Sequence, residues 1–243
     1  MSPRELPPSS AFAGDDGSAD PELAAALGAF GAGSGSVADV VAALAGARVL
    51  VPVLADLEVG DVATHDGHEL AVDKVASAGI VALRAPDGRT ALPVFSSVAA
   101  MTTWRADARP VPSVVARAAL SAVEEGWEVL VVDPGGPVTV LVPRPAVWAL
   151  AKQEPWRPAV TGHAVDDDVR AAVAAALAAV PEVARTDVEP GRRAEVAVVL
   201  ALRPGLDRAG LDAVLVRVND ALAADGTVAA RVDSLELRLT TAG

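Results

Sequence analysis

Ser96 and Ser97 close the apolar run Leu92-Pro93-Val94-Phe95, and Trp104 follows one short helix later. Paired hydroxyls where a strand hands over to a helix can be a nucleophile, a ligand clamp or a helix cap. A nucleophile elbow needs glycines beside its serine, because the strained turn brings backbones close together. Val94 and Val98 flank Ser96, Phe95 and Ala99 flank Ser97, and no glycine is there. The base would have to be His65, His68 or His163, and none stands in a suggestive context. The residues favour a cap, worth about 1 kcal/mol. Neither Ala99 nor Ala100 supplies the Glu or Gln of a capping box. No catalytic residue is assigned, and the protein is not expected to be an enzyme.

Other constellations are weaker. His65 and His68, with Asp61, Asp66, Glu69 and Asp73 nearby, could converge on a metal. Asp66-Gly67 is a turn signal, however, and Val72 stands where a His-Glu-x-x-His motif needs its second histidine. No metal and no cofactor are expected. Asp166, Asp167 and Asp168 front a helix and complement its dipole. Asp133-Pro-Gly-Gly-Pro137 could offer amides to an anion, but Pro137 and Val138 replace the Lys and Ser/Thr of a phosphate loop. A hairpin turn is the better reading. If a ligand or partner surface exists, it is expected where Phe95, Ser96, Ser97, Trp104, Arg109, Asp133, Pro134 and Gly135 converge.

The elements that would position these residues can be read from pattern. Residues 1–35 read as a flexible segment: no periodicity to Asp20, a short helix with Asp20 as cap and Pro21 in its first turn, then the linker Gly31–Ser36. A helix and a strand near Arg48–Leu54 follow, then an acidic stretch read as loop. Apolar runs on either side of Pro86-Asp87-Gly88, and again around Asp133–Gly136, predict two hairpins. Between them lie a short helix over Ser97–Ala106 and a helix from Ser113 to Gly126. A further helix carries Pro145 in its first turn, and Pro155 to Pro158 marks a boundary.

Residues 36–154 therefore read as one α+β domain and 155–243 as a second. In the second, Val169, Val173, Leu177 and Val180 share a helical stripe, and Leu211, Val214, Leu215, Val218 and Leu222 stand at helical spacing. Leu235, Leu237 and Leu239 alternate with Glu236 and Arg238 as in a half-buried strand. The order β-α-β-β-α-β is ferredoxin-like, an antiparallel sheet with helices on one face. It reduces to a three-stranded variant if the strand near Ala159–His163 is absent.

Composition removes whole classes of function. The 243 residues are 52% hydrophobic and only 3% aromatic, with no tyrosine. That supports a core of Ala, Val and Leu and disfavours stacking sites for bases. A net charge of −12 opposes nucleic acid and anionic membranes. No cysteine means no disulfide, thiolate metal site or cysteine nucleophile. The first residues lack the basic start and apolar core of a signal peptide, and a cytoplasmic location is expected. Lysine occurs only at Lys74 and Lys152 and isoleucine only at Ile80, a bias of GC-rich coding.

The run Leu92–Ser97, with Trp104, Arg109–Pro112, Gly126 and Asp133–Pro137 in order, resembles the N-terminal domain of the SseB family, named for enhanced serine sensitivity. The resemblance spans roughly Val49 to Lys152. The tail from Pro158 is similar to the family's C-terminal domain, as in the two-domain form of actinobacteria. Val98, Ala99 and Ala100 depart from the Glu and Leu common after the hydroxyl pair. The resemblance implies a cytoplasmic, non-catalytic binding or adaptor protein with a protein partner. The alternative is an enzyme or sensor for a small metabolite of amino-acid metabolism.

Overall fold

The computed structural model describes residues 12–54, 62–65, 68–73, 81–85 and 87–241. Contacts divide the chain into two units, Met1–Trp156 and Arg157–Gly243. Both combine helices with sheets, so the α+β class holds.

The first unit begins with α1 (Pro21–Gly31), whose cap is the Asp20 carboxylate accepting from the amides of Glu22 and Leu23. Leu23 and Leu27, four apart, are buried in the main core. Over residues 12–35 the expectation of a flexible segment is therefore corrected, because α1 carries part of that core; residues 1–11 lie outside the described residues. The Gly-Ser run is likewise a tight turn rather than a linker. The amides of Ser34 and Gly35 both bond Ala29 O at 2.9 Å. Ser36 then caps α2 (Val37–Gly46) reciprocally with Asp39.

After α2 come β1 (Arg48–Val53), β2 (Val62–His65), β3 (His68–Asp73), β4 (Ala82–Arg84) and β5 (Thr90–Val94). Next are α3 (Val98–Trp104), β6 (Arg109–Val114), α4 (Val115–Glu124), β7 (Val129–Val132), β8 (Val140–Val142) and α5 (Arg144–Lys152). The acidic stretch read as loop is thus a backbone hairpin, β2 against β3. Six strands form one sheet in the order β2-β3-β4-β5-β7-β8. Only β5 and β7 pair in parallel, so the crossover between them carries α3, β6 and α4 outside the sheet.

β1 and β6 form a separate two-stranded ribbon. Leu50 turns both backbone groups toward Phe95, with N–H···O distances of 2.8 and 2.9 Å. Alternation then assigns Val49, Val51 and Val53 to bond Ser113, Val111 and Arg109. Pro110 and Pro112 fall between these, with their nitrogens on the ribbon's outer side. Ser113 does not cap α4 as expected. Its hydroxyl donates to Val114 O, and the helix starts without a side-chain cap.

The second unit contains β9 (Val160–Thr161), β10 (Ala164–Val165), α6 (Asp167–Leu177), β11 (Val183–Pro190), β12 (Val196–Leu202), α7 (Arg208–Ala224), α8 (Gly226–Arg231) and β13 (Leu235–Thr241). The strand expected near Ala159–His163 is only the two-residue hairpin β9–β10, apart from the main sheet. The domain therefore takes the three-stranded form, not the full ferredoxin-like order. β11 and β13 flank β12, and the β12–β13 pair is parallel. Val169 and Val173 of α6 and Val214 and Val218 of α7 meet Val196, Val198 and Leu200 in one core. Asp166 caps α6 through Asp168 N at 3.0 Å, the helix-start role expected of the aspartate trio.

Charges gather around Glu236 of β13. It accepts the amides of Arg192 and Arg193 and pairs with Arg238, which also pairs with Glu189. The Arg192 amide first, then the Arg238 guanidinium, holds the Glu236 pKa down to about 2. A depressed folded pKa stabilises above the unfolded value and is lost as pH falls through the folded one. Glu236→Gln should therefore flatten the acid limb of stability between the ordinary carboxyl value of 4.5 and about 2, read by urea denaturation against pH.

Candidate functional site

The sheet delivers β5 and β7 side by side, so the residue after each strand's end shares one corner. Phe95 is fully buried there, bonded both ways to Leu50. Its ring lies 5.2 Å from that of Trp104 at an interplanar angle of 36°. Ser96 and Asp133, 5% and 7% exposed, are the two buried polar residues of the described core. The Ser96 amide donates to Asp133 Oδ1 at 2.8 Å, and the Ser96 hydroxyl donates to Oδ2 at 2.7 Å.

Asp133 is held as firmly as it holds. Its amide donates to Val94 O at 2.9 Å, extending the β5–β7 pairing by one residue. Its carbonyl accepts from Gly136 N at 3.1 Å and Thr139 Oγ1 at 2.9 Å, closing the hairpin turn. Its φ is +48°, a left-handed conformation that aspartate adopts more readily than most residues. Burial raises the carboxyl pKa above the usual range, while the two bonds from Ser96 pull it down. The turn continues through buried Pro134 to Gly135 at φ +72°, against the Trp104 ring.

The two serines have separate roles. Ser97, half-buried, is the N-cap of α3, accepting from Ala100 N at 3.1 Å. Ser97→Ala should lower stability by about 1 kcal/mol, measured by thermal or urea denaturation. Ser96 instead ties β5 to the β7–β8 turn. Arg109 does not join this corner. It is exposed at the start of β6, paired with Val53.

Among the described residues, no histidine of the sheet stands near Ser96. The register sets Ala71 level with Arg84 and Thr90. His68 lies beyond Ala71 at one end, and Ser96 beyond Val94 at the other. That separation is about nine strand positions, roughly 30 Å. His65 pairs with His68 between β2 and β3, and His163 belongs to the second unit. Among the described residues, no cluster of three His, Asp or Glu could hold a metal.

Two features escaped sequence reading. Arg48 donates Nη1 to Ser96 O at 2.9 Å and Nη2 to Ser18 O, and grips Asp15 through Nε at 2.8 Å. Val98 N donates to Gly17 O at 2.9 Å. Residues 12–20, expected to lack structure, are thus a strap fastened over the start of α3. Gly17 sits at φ +78°, and a Cβ there would lie 2.6 Å from Val98 Cγ2. The only available signal was a lone arginine opening an apolar strand. The second feature is a hollow of about 640 Å³ between the β1–β6 ribbon, α4 and Trp127, with Phe12 of the strap on its wall.

Among the described residues, no helix is long and apolar enough to cross a membrane. The family model described as SseB protein N-terminal domain matches residues 23–149. No curated protein and no solved structure matches the chain.

Proposed function

The chain belongs to the SseB family through its N-terminal domain, and on that premise we propose that it is a non-catalytic binding protein. One observation carries this reading: the serine pair that resembles a reactive site is closed. Both oxygens of Asp133 are engaged by Ser96, and neither residue is open to solvent. Ser96 Oγ donates to a carboxylate that could serve as its base, but both groups lie inside the corner, closed to an incoming substrate.

The second unit is, in this reading, the family's C-terminal domain, and the whole is the two-domain actinobacterial form working in the cytoplasm with a protein partner. Of the surface first expected around the corner, Ser97, Trp104 and Gly135 are the partly exposed rim, and Arg109 stands apart. The charge of −12 supports a partner other than nucleic acid.

The test is turnover. The purified chain, incubated with pools of amino acids and nucleotides and followed by mass spectrometry, should consume none of them. Consumption that Ser96→Ala abolishes, in protein that melts cooperatively, overturns the reading in favour of an enzyme of small-metabolite chemistry.

A further inference from the structure

We propose that the hollow between the β1–β6 ribbon and α4 is a binding pocket for a compact apolar ligand, neutral or cationic, and that the strap carrying Phe12 completes its wall. The inference rests on the reading of the protein as a binding protein and says what is bound, and where.

Volume and lining set the ligand class. About 640 Å³ falls within the usual range of small-molecule sites. Val51, Leu92, Val111, Ala118 and Trp127 supply an apolar surface drawn from strands and helix alike. Three charged residues also line it: Arg117, Glu124 and Glu125. The two acids outnumber the one base, so an anion meets net repulsion at the wall. An apolar body with no charge, or with one positive charge toward the α4 C-terminal end, fits this balance.

Phe12 is half-buried and belongs to the strap rather than to a helix or strand. Its carbonyl accepts the Asp15 amide at 3.0 Å in a turn. Asp15 is in turn gripped by Arg48, through Nε at 2.8 Å and Nη2 at 2.9 Å. Asp15 does not line the hollow, yet its amide is bonded to a residue that does. Loss of the ion pair removes one fastening of the strap, beside those at Ser18 O and Gly17 O, and leaves the strand and helix walls intact. A ligand held better with the ring in place favours the fastened strap by that difference in affinity.

The experiment titrates the full chain with two dyes, neutral Nile red and anionic anilinonaphthalene sulfonate, read by fluorescence. Nile red should saturate at one site, with the anionic dye at least about tenfold weaker. Val111→Trp and Ser121→Phe, which fill the hollow from different walls, should each abolish saturable binding. Phe12→Ala and Asp15→Ala should each weaken Nile red about five- to tenfold, with circular dichroism melts confirming the fold. No saturable signal in the wild type, or one that both filling variants leave unchanged, overturns the pocket. Stronger binding of the anionic dye overturns the charge preference. Phe12→Ala and Asp15→Ala that titrate like the wild type overturn the strap's part in the pocket. Nile red is not a candidate substrate, so these outcomes are separate from the turnover test of the binding-protein reading.

Discussion

Phe95→Ala should remove about 3–5 kcal/mol of folding stability, the range for a fully buried aromatic. The ring is inaccessible to solvent and packs with Leu50 and Met101 in a small cluster beside Trp104. The loss combines ring transfer with a cavity that two neighbouring strands hold open. Phe95 is bonded to Leu50 through backbone alone, so alanine keeps the β1 contact and the site cannot collapse easily. Phe95→Leu retains most of the volume and should lose only about 1–2 kcal/mol. Urea denaturation followed by circular dichroism separates the two. A loss below about 1 kcal/mol for the alanine variant would show that the corner repacks freely.

Asp133 should divide its two simplest substitutions. Asp133→Ala leaves the Ser96 amide and hydroxyl buried without their partner, and should lower stability by about 2–4 kcal/mol. Asp133→Asn keeps an acceptor for the amide and a donor for the hydroxyl, which rotates to accept. It also removes a buried charge and suits a positive φ. The expected change at neutral pH is within about 1 kcal/mol. The pH sign follows from the raised carboxyl pKa. When the folded value exceeds the unfolded one, the folded state binds the extra proton between them, so stability falls as pH rises through that window. In Asp133→Asn that fall should disappear, and denaturation of the pair from pH 4 to 7 reads the difference. A wild-type curve parallel to the asparagine curve would mean that Ser96 compensates the burial of the charge.

The sequence made the corner visible but not its wiring. Leu92–Phe95 reads as a strand because apolar residues run unbroken into a helix cap, and the Pro-Gly-Gly turn announces the hairpin. That Ser96 and Asp133 meet is a consequence of β5 and β7 being parallel neighbours, which depends on a long crossover that local pattern does not encode. The same limit hid Arg48, whose acceptors lie 30, 33 and 48 positions away in the chain. Helices fared better: the Leu23/Leu27 stripe and the caps at Asp20 and Asp166 are spelled out within one turn. The error there was one of membership, since a short helix beside glycines looks detached until its leucines are seen inside the core. The His65–His68 turn shows the reverse case. Residue types that could bind a metal drew notice, while the strand register places them far from the serine pair.

The outward-facing nitrogens of Pro110 and Pro112 have a consequence for the fate of the protein in concentrated solution. A β-ribbon edge recruits a neighbouring chain by offering a ladder of donors and acceptors. Here the rungs at two alternate positions carry no hydrogen, so an incoming strand finds carbonyls with nothing to pair beside them. In a chain this rich in valine and alanine, the prolines act as a guard against sticking strand to strand. They leave the ribbon's apolar side chains free to face the hollow without the backbone becoming a template for aggregation.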